Sequence, residues 1–499
     1  MRVLVWLHRY LGVTVGLLMA LWCLSGFVMM YMPYPRLSDA ERLQGLEPLQ
    51  LDGCCVLEAL RIPLDQPLNG WRVEMLAGEP VLRLQPARGA APGAFYELRS
   101  GRFVTQVDPA RAAAVVDDYA RGHHMEGAPR LLGEILRDQW TVQGSGRAPL
   151  YHFALDDDAG TELYVDSSSG EVVQDTTRRE RFWNYLGAVP HWLYPTVLRA
   201  NGPLWSQVVI WTSLLGCFLT AIGIYAGIQR YTLRGGDRLS PFKGLWYWHH
   251  IGGLLFGVLT LTWIASGLFS MNPWGFLDSY AGLEERRVIA GEFNWETSRS
   301  TLTRAMTELP PDPLRVELRS APLAGQLYTL ATDAMGESQR YDIAGAAARL
   351  DRPEIAAAVA RLDVPMRALE ILNAPDDYYY PHHDETIALP VWRVLLDDAQ
   401  RTRLYLDPGS GRVLSAADSA QRQFRWLHLA LHRFDFAALR SRPLWDVVVW
   451  LLLAGVSFAC ITGAWMSCRR IAKDWRALCA RLSRVRTYPV RGAVSRQRD

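Results

Sequence analysis

Trp6-Leu7-His8-Arg9-Tyr10-Leu11-Gly12 and Tyr247-Trp248-His249-His250-Ile251-Gly252-Gly253 are two versions of one stretch, and the 241-residue offset between them decides the fold. The likeness continues downstream, with Gly16 falling on Gly257, Trp22 on Trp263 and Ser25-Gly26 on Ser266-Gly267. The same offset carries Glu162-Leu163-Tyr164-Val165-Asp166 onto Arg403-Leu404-Tyr405-Leu406-Asp407, Gly170 onto Gly411, His191 onto His432 and Arg199 onto Arg440. The chain reads as an internal duplication that keeps two histidines per copy.

Each copy is bounded by apolar runs, near Trp6 to Met32, Trp205 to Ile228, Leu245 to Met271 and Leu444 to Met466. As helices these reach roughly 33 to 40 Å, more than a hydrocarbon core of about 30 Å. The expected architecture is therefore a membrane α-helical protein with four transmembrane helices, at 1–32, 201–229, 245–272 and 441–468. Between them lie two α+β extracytoplasmic regions, 33–200 and 273–440, with a short loop at 230–244 and a basic tail at 469–499. A signal peptide is the other reading of the first run. Its length, the lack of a small-x-small site after Met32 and its internal repeat at 245 favour retention.

Arg230, Arg234, Arg238 and Lys243 in the short loop, and Arg469, Arg470, Lys473, Arg476, Arg481, Arg484 and Arg486 in the tail, mark the cytoplasmic side. Both termini are then inside and the large regions outside, as in a multi-pass protein of a bacterial inner membrane. Two spans per copy make this a parallel duplication, not an inverted one. With 53 basic and 51 acidic residues the chain gives no sign of nucleic-acid binding.

In the outer regions 71–76, 80–84 and 95–98 read as strands, 162–166 with 169–173 and its mate ending at Leu414 as hairpins, and 109–119 and 352–362 as helices. Two small modules per half are expected. Of the seven cysteines only Cys54 and Cys55 face outward, and as neighbours they are expected to stay unpaired. There is no Cys-x-x-Cys-His for covalent haem, no Gly-x-Gly-x-x-Gly, no Walker loop and no His-Glu-x-x-His.

Symmetric histidines at opposite membrane boundaries suggest a paired cofactor. Haem b fits, because two imidazoles per iron leave no open position and suit electron transfer. His8 with His249 form the expected inner pair, with Arg9, Arg230 and Lys243 on the same side for propionates. His191 with His432 form the expected outer pair, each followed eight residues later by an arginine, Arg199 and Arg440. His250, aligned with Arg9, is a weaker ligand candidate that a one-residue register shift would promote. His428, aligned with Gly187, is a spare ligand, a supporting partner or part of a substrate path. Asp376-Asp377-Tyr378-Tyr379-Tyr380-Pro381-His382-His383-Asp384-Glu385 is a third cluster, able to hold a metal or contact a substrate or simply to be a solvated surface. His123-His124 beside Glu126 is weaker still.

The hairpin Tyr164-Val165-Asp166-Ser167-Ser168-Ser169-Gly170-Glu171-Val172-Val173 resembles the closing hairpin of PepSY domains. With Arg181-Phe182-Trp183-Asn184-Tyr185-Leu186-Gly187 leading into His191-Trp192, nearly the whole chain resembles the PepSY-associated transmembrane family. That resemblance implies PepSY-like outer domains and a ferric-siderophore reductase-like oxidoreductase of the inner membrane. Electrons would come from a cytosolic donor or quinol and pass to a periplasmic ferric chelate, siderophore or binding protein. The other reading is a membrane-anchored PepSY binding or regulatory protein without redox activity; a permease is disfavoured by the small number of helices and the lack of broken ones.

Overall fold

The computed structural model describes residues 2–87, 93–144, 148–231, 240–382 and 386–486, with side chains as far as 480. Arg234, Arg238, His383, Asp384 and Glu385 lie outside the described residues, as do the side chains of Arg481, Arg484 and Arg486.

Four helices are long and apolar enough to cross a membrane: Arg2–Met29, Gly202–Arg230, Leu245–Ser270 and the Leu444–Ala480 part of a helix running Leu444–Arg486. The first packs against the second and fourth, and the third does the same, so the first and third face each other across a four-helix ring. In the first helix Gly12, Val15, Gly16, Met19 and Ala20 are buried at a helical spacing, while Leu17, Leu21 and Leu24 point outward. Lipid gives apolar side chains no reason to leave it, so small residues that permit close approach form the inner face. The fourth helix does not end at 468 as expected. Arg470 pairs with Asp474 one turn on, at 3.0 Å, and Tyr10 donates to the same carboxylate at 2.9 Å, tying the extension to the first helix.

Outside the bundle lie three antiparallel sheets. One contains β1 (Pro67–Leu76), β2 (Glu79–Pro86), β3 (Phe95–Glu97) and β4 (Phe103–Val104). Another sheet, of four strands, runs β5 (Pro129–Ile135), β6 (Leu150–Leu155), β7 (Glu162–Asp166), β8 (Val172–Thr176). After the third span come β9 (Phe293–Asn294), β10 (Arg315–Leu323), β11 (Gln326–Asp333) and β12 (Ser338–Tyr341). The last sheet runs β13 (Met366–Leu372), β14 (Val391–Leu396), β15 (Arg403–Leu406), β16 (Val413–Ala417).

The expectation of two separate modules per half needs correction. β1 pairs with β10, so the first sheet is continuous across both halves in the order β12-β11-β10-β1-β2-β3-β4, with β9 beside β1. At this seam Glu74 lies opposite Glu317, and both are only 1% exposed. Two like charges buried side by side demand cations. Arg42, in the short helix Asp39–Gln44 that follows the first span, reaches Glu317 at 2.6 Å and Glu74 at 3.3 Å, and Arg83 donates to Glu74 at 2.6 Å. Arg72 adds Glu74 and Glu171 to the network.

The two four-stranded sheets share local devices. Tyr164 donates to Asp138 at 2.7 Å and Tyr405 to Asp376 at 2.9 Å. Thr161 donates to Asp157 and Thr402 to Asp398, each at 2.6 Å. Gly170 and Gly411 turn the closing hairpins with φ of 72° and 77°, where a side chain would be strained. The expectation for Cys54 and Cys55 also fails: across a cis peptide their Cα atoms stand 3.2 Å apart, and the two sulfurs are joined.

Arg42→Ala strips the seam of a shared cation and should cost on the order of 3 kcal/mol in unfolding of the outer region. Arg121→Ala, whose guanidinium is 70% exposed, should cost no more than about 0.5 kcal/mol; thermal melts in detergent compare the two. Glu97 supplies a pH test. Arg102 chiefly, then Arg111 and Ser100, hold its carboxyl down to about 2 from an ordinary 4.5, against the upward push of burial. A depressed carboxylate stabilises the fold above its unfolded value and loses that contribution as pH falls through the folded one. Melts taken from pH 5 to 2 should therefore fall less steeply in Glu97→Gln than in the unmodified chain.

Candidate functional site

Both expected histidine pairs come together, and each takes one imidazole from each half. The ring centres of His8 and His249 are 6.3 Å apart, and those of His191 and His432 are 6.1 Å apart.

Every one of these rings is held from behind by a main-chain carbonyl of its own half. His8 Nδ1 meets Leu219 O on the second helix at 3.1 Å, and His249 Nδ1 meets Ala459 O on the fourth at 3.1 Å. His191 Nδ1 meets Trp22 O on the first helix at 3.0 Å, and His432 Nδ1 meets Trp263 O on the third at 3.1 Å. Hydroxyls of Thr462, Ser25 and Ser266 lie beside the last three at 3.2, 3.1 and 3.2 Å. A carbonyl can only accept, so Nδ1 must carry the proton. The lone pair of the neutral ring then sits on Nε2, on the far edge, as a metal ligand requires.

A helical carbonyl is normally covered by the residue four positions on. Here that residue is glycine each time: Gly223 after Leu219, Gly463 after Ala459, Gly26 after Trp22 and Gly267 after Trp263. A Cβ on Gly223 would stand 2.5 Å from His8 Cε1, and one on Gly463 2.7 Å from His249 Cε1. On Gly267 it would stand 3.2 Å from His432, and on Gly26 3.9 Å from His191. The glycines leave room for the imidazoles to reach the main chain. Only Gly26 and Gly267 stood out in the sequence; Gly223 and Gly463 fall 240 residues apart, one off the repeat's main register, and were missed.

The spacing can be tested against haem. An imidazole nitrogen bonds a first-row metal at about 2 Å, and its ring centre lies roughly 1 Å further back. Two imidazoles on opposite faces of one iron therefore have centres about 6 Å apart, which both pairs match. Beside the inner pair is a cavity of about 270 Å³, lined by Arg9, Gly16, Gly223, Arg230, Gly253 and Gly257 among mainly apolar neighbours. Trp22 and Trp263, whose carbonyls anchor the outer pair, have indole N–H groups buried without acceptors among the described residues. Among the described residues Arg199 Nε, Arg440 Nη2 and Arg425 Nη1 are also without a partner, as is Oδ2 of Asp435, the carboxylate that Arg440 and Arg425 share. Buried donors without partners are costly, and a carboxylate-bearing ligand is one way to satisfy them. The ring spacing at both pairs, and the cavity beside the inner one, are what a group held between two imidazoles would need.

The remaining candidates separate clearly. His250 spends both nitrogens, on Ser240 Oγ at 2.8 Å and Gly227 O at 2.9 Å, so it lines the inner cavity with no lone pair to give. His428 gives Nδ1 to Ser266 O at 2.8 Å and stacks on His432. Arg199 lies over Tyr194 and Trp205, whereas Arg440 pairs with Asp435 at 2.8 Å and covers Tyr380. Arg425 was not singled out in the sequence, yet it is buried over Tyr380 and donates to Asp377 O and Asp435 O. In the third cluster Asp376 is consumed by its own loop, Arg393 and Tyr405, and His382 faces Asp435 at 3.6 Å. Among the described residues no three His, Cys, Asp or Glu side chains converge as a metal site. His123 meets Glu41 O at 2.9 Å.

No family model matches the chain, and no curated protein matches it either.

The carbonyl anchors predict a tautomer. In ¹⁵N-histidine NMR of chain purified free of haem, His8, His191, His249 and His432 should be neutral with the proton on Nδ1, while His250 should carry it on Nε2 toward Gly227.

Proposed function

We propose that this chain is a di-haem b electron-transfer protein of a bacterial inner membrane, carrying electrons from the cytoplasmic side to a ferric chelate or siderophore outside. The observation that carries this reading is the pair of cross-half imidazole sites, each about 6 Å between ring centres and each with Nδ1 held by a carbonyl and Nε2 without a partner among the described residues.

His8 with His249 hold the inner group, His191 with His432 the outer. A bound haem would supply a one-electron iron couple, and a site that gives it an imidazole from each half would suit electron transfer. The chain's own residues do the rest. The four carbonyl anchors fix ring orientation and raise imidazole basicity. Glycine and apolar residues make up most of the inner slot's wall, and Arg9 and Arg230 line it as cations. From His8 to the level of Trp22 the first helix climbs about 20 to 25 Å, which sets the two sites at different depths. No side chain is asked to act as general acid or base.

The reading includes a parallel duplication and PepSY-like outer domains. Support comes from the two four-stranded sheets of the same strand order and from the Tyr–Asp and Thr–Asp bonds they share. Basic residues at the second, third and fourth helix ends point to inward termini. The donor is a cytosolic reductant or a quinol drawn from the membrane lipid.

Full-length protein made in haem-sufficient cells should lose one haem of two in His8→Ala and the other in His191→Ala, by pyridine haemochrome assay. Each variant should keep the spectrum of the site it leaves intact. Retention of both haems in either variant would overturn the ligand assignment.

A further inference from the structure

The outer pair is served differently by the two halves. On the second-half side the segment Ser419–Phe424 passes through a π-helical stretch, Arg425–Ala430, into the turn that carries His432. Such widened turns recur at functional sites. His428 sits in it, its ring stacked on His432 at 5.2 Å and 26°, and Phe424 lies 5.1 Å beyond His428. Ser266 registers both imidazoles, its carbonyl on His428 and its hydroxyl on His432. Trp426, on the same stretch, is 41% exposed, donates to Tyr378 Oη at 3.3 Å and has Arg425 over its face.

The first half has the outer members of this ladder without the middle one. Trp183 and Tyr185 stand where Phe424 and Trp426 do, and Tyr185 meets Trp140 edge to face at 5.1 Å, where Trp426 instead hydrogen-bonds Tyr378. The position of His428 is Gly187, where the helix breaks and a Cβ would come within 2.8 Å of Val28 Cγ1. No ring can be placed there.

We propose that His428 is the relay by which the outer site exchanges electrons with an external acceptor, on the face formed by Phe424, Trp426 and Tyr378. The inference rests on the di-haem reading above. Rings in contact carry an electron across a span that empty space would make far slower, and among the described residues a ring ladder leads away from the ligand only in the second half, from His432 through His428 to half-buried Phe424. The step balances simply. One electron leaves the iron held by His191 and His432, which passes from iron(II) to iron(III), and enters a chelated ferric ion, which becomes ferrous. No bond forms or breaks in the protein and no proton moves.

The test uses the full chain with both haems, reduced with dithionite and mixed in a stopped-flow with ferric EDTA. His428→Leu should keep haem content, low-spin spectra and both midpoint potentials, yet reoxidise several-fold more slowly. His428→Phe, which can neither ligate iron nor hydrogen-bond, should restore most of the rate. An unchanged rate in His428→Leu overturns the relay, as does a His428→Phe variant equally slow, a shifted potential that accounts for the loss, or loss of the outer haem. If the unmodified chain carries no haem, the functional reading itself fails; if it carries two and His428→Leu is fast, only the relay does.

Discussion

Everything at the proposed sites depends on one constraint: inside a membrane a helical carbonyl has no water to meet, and here four of them are uncovered by glycine and given to imidazole Nδ1. That single hydrogen bond fixes the tautomer, aims the lone pair away from the helix and locks the ring. Each half holds both of its own histidines in this way. Neither half can complete a site alone, because every pair joins a ring from one half to a ring from the other.

The joining of the halves is therefore as important as the histidines themselves. It is achieved twice, by the four-helix ring within the apolar layer and by the β1–β10 seam outside it. The seam buries two facing carboxylates and compensates them with arginines from separate elements, one of which follows directly from the first span. A buried ionic junction is a poor source of net stability but a strict condition on register, since a slipped pairing would leave charges uncompensated.

Much of this was legible in the sequence. The repeat filtered eleven histidines down to the four that pair across the halves, and the apolar runs gave four helices of membrane length. What escaped was long-range. Nothing local tells β1 that its partner lies some 245 residues away, or that Glu74 and Glu317 will be neighbours. The basic residues after 468 read as a solvated tail, although Tyr10, Arg470 and Asp474 continue the helix against its neighbour. Adjacent cysteines argued against a bond between them that the fold contains. The glycines four residues past each carbonyl anchor carry the clearest missed signal, visible only once the acceptor of each imidazole is known. His250 shows the converse, an attractive histidine that hydrogen bonding at both nitrogens removes from contention.

Low-temperature EPR of the oxidised, purified full chain, with haem and protein quantified on the same sample, asks whether each cross-half pair closes on one iron as proposed. Two haems b per chain should be found, both low-spin with the signature of two imidazole ligands. A haem-free preparation from haem-sufficient cells, or a dominant high-spin signal from an iron with an open position, would refute the proposal.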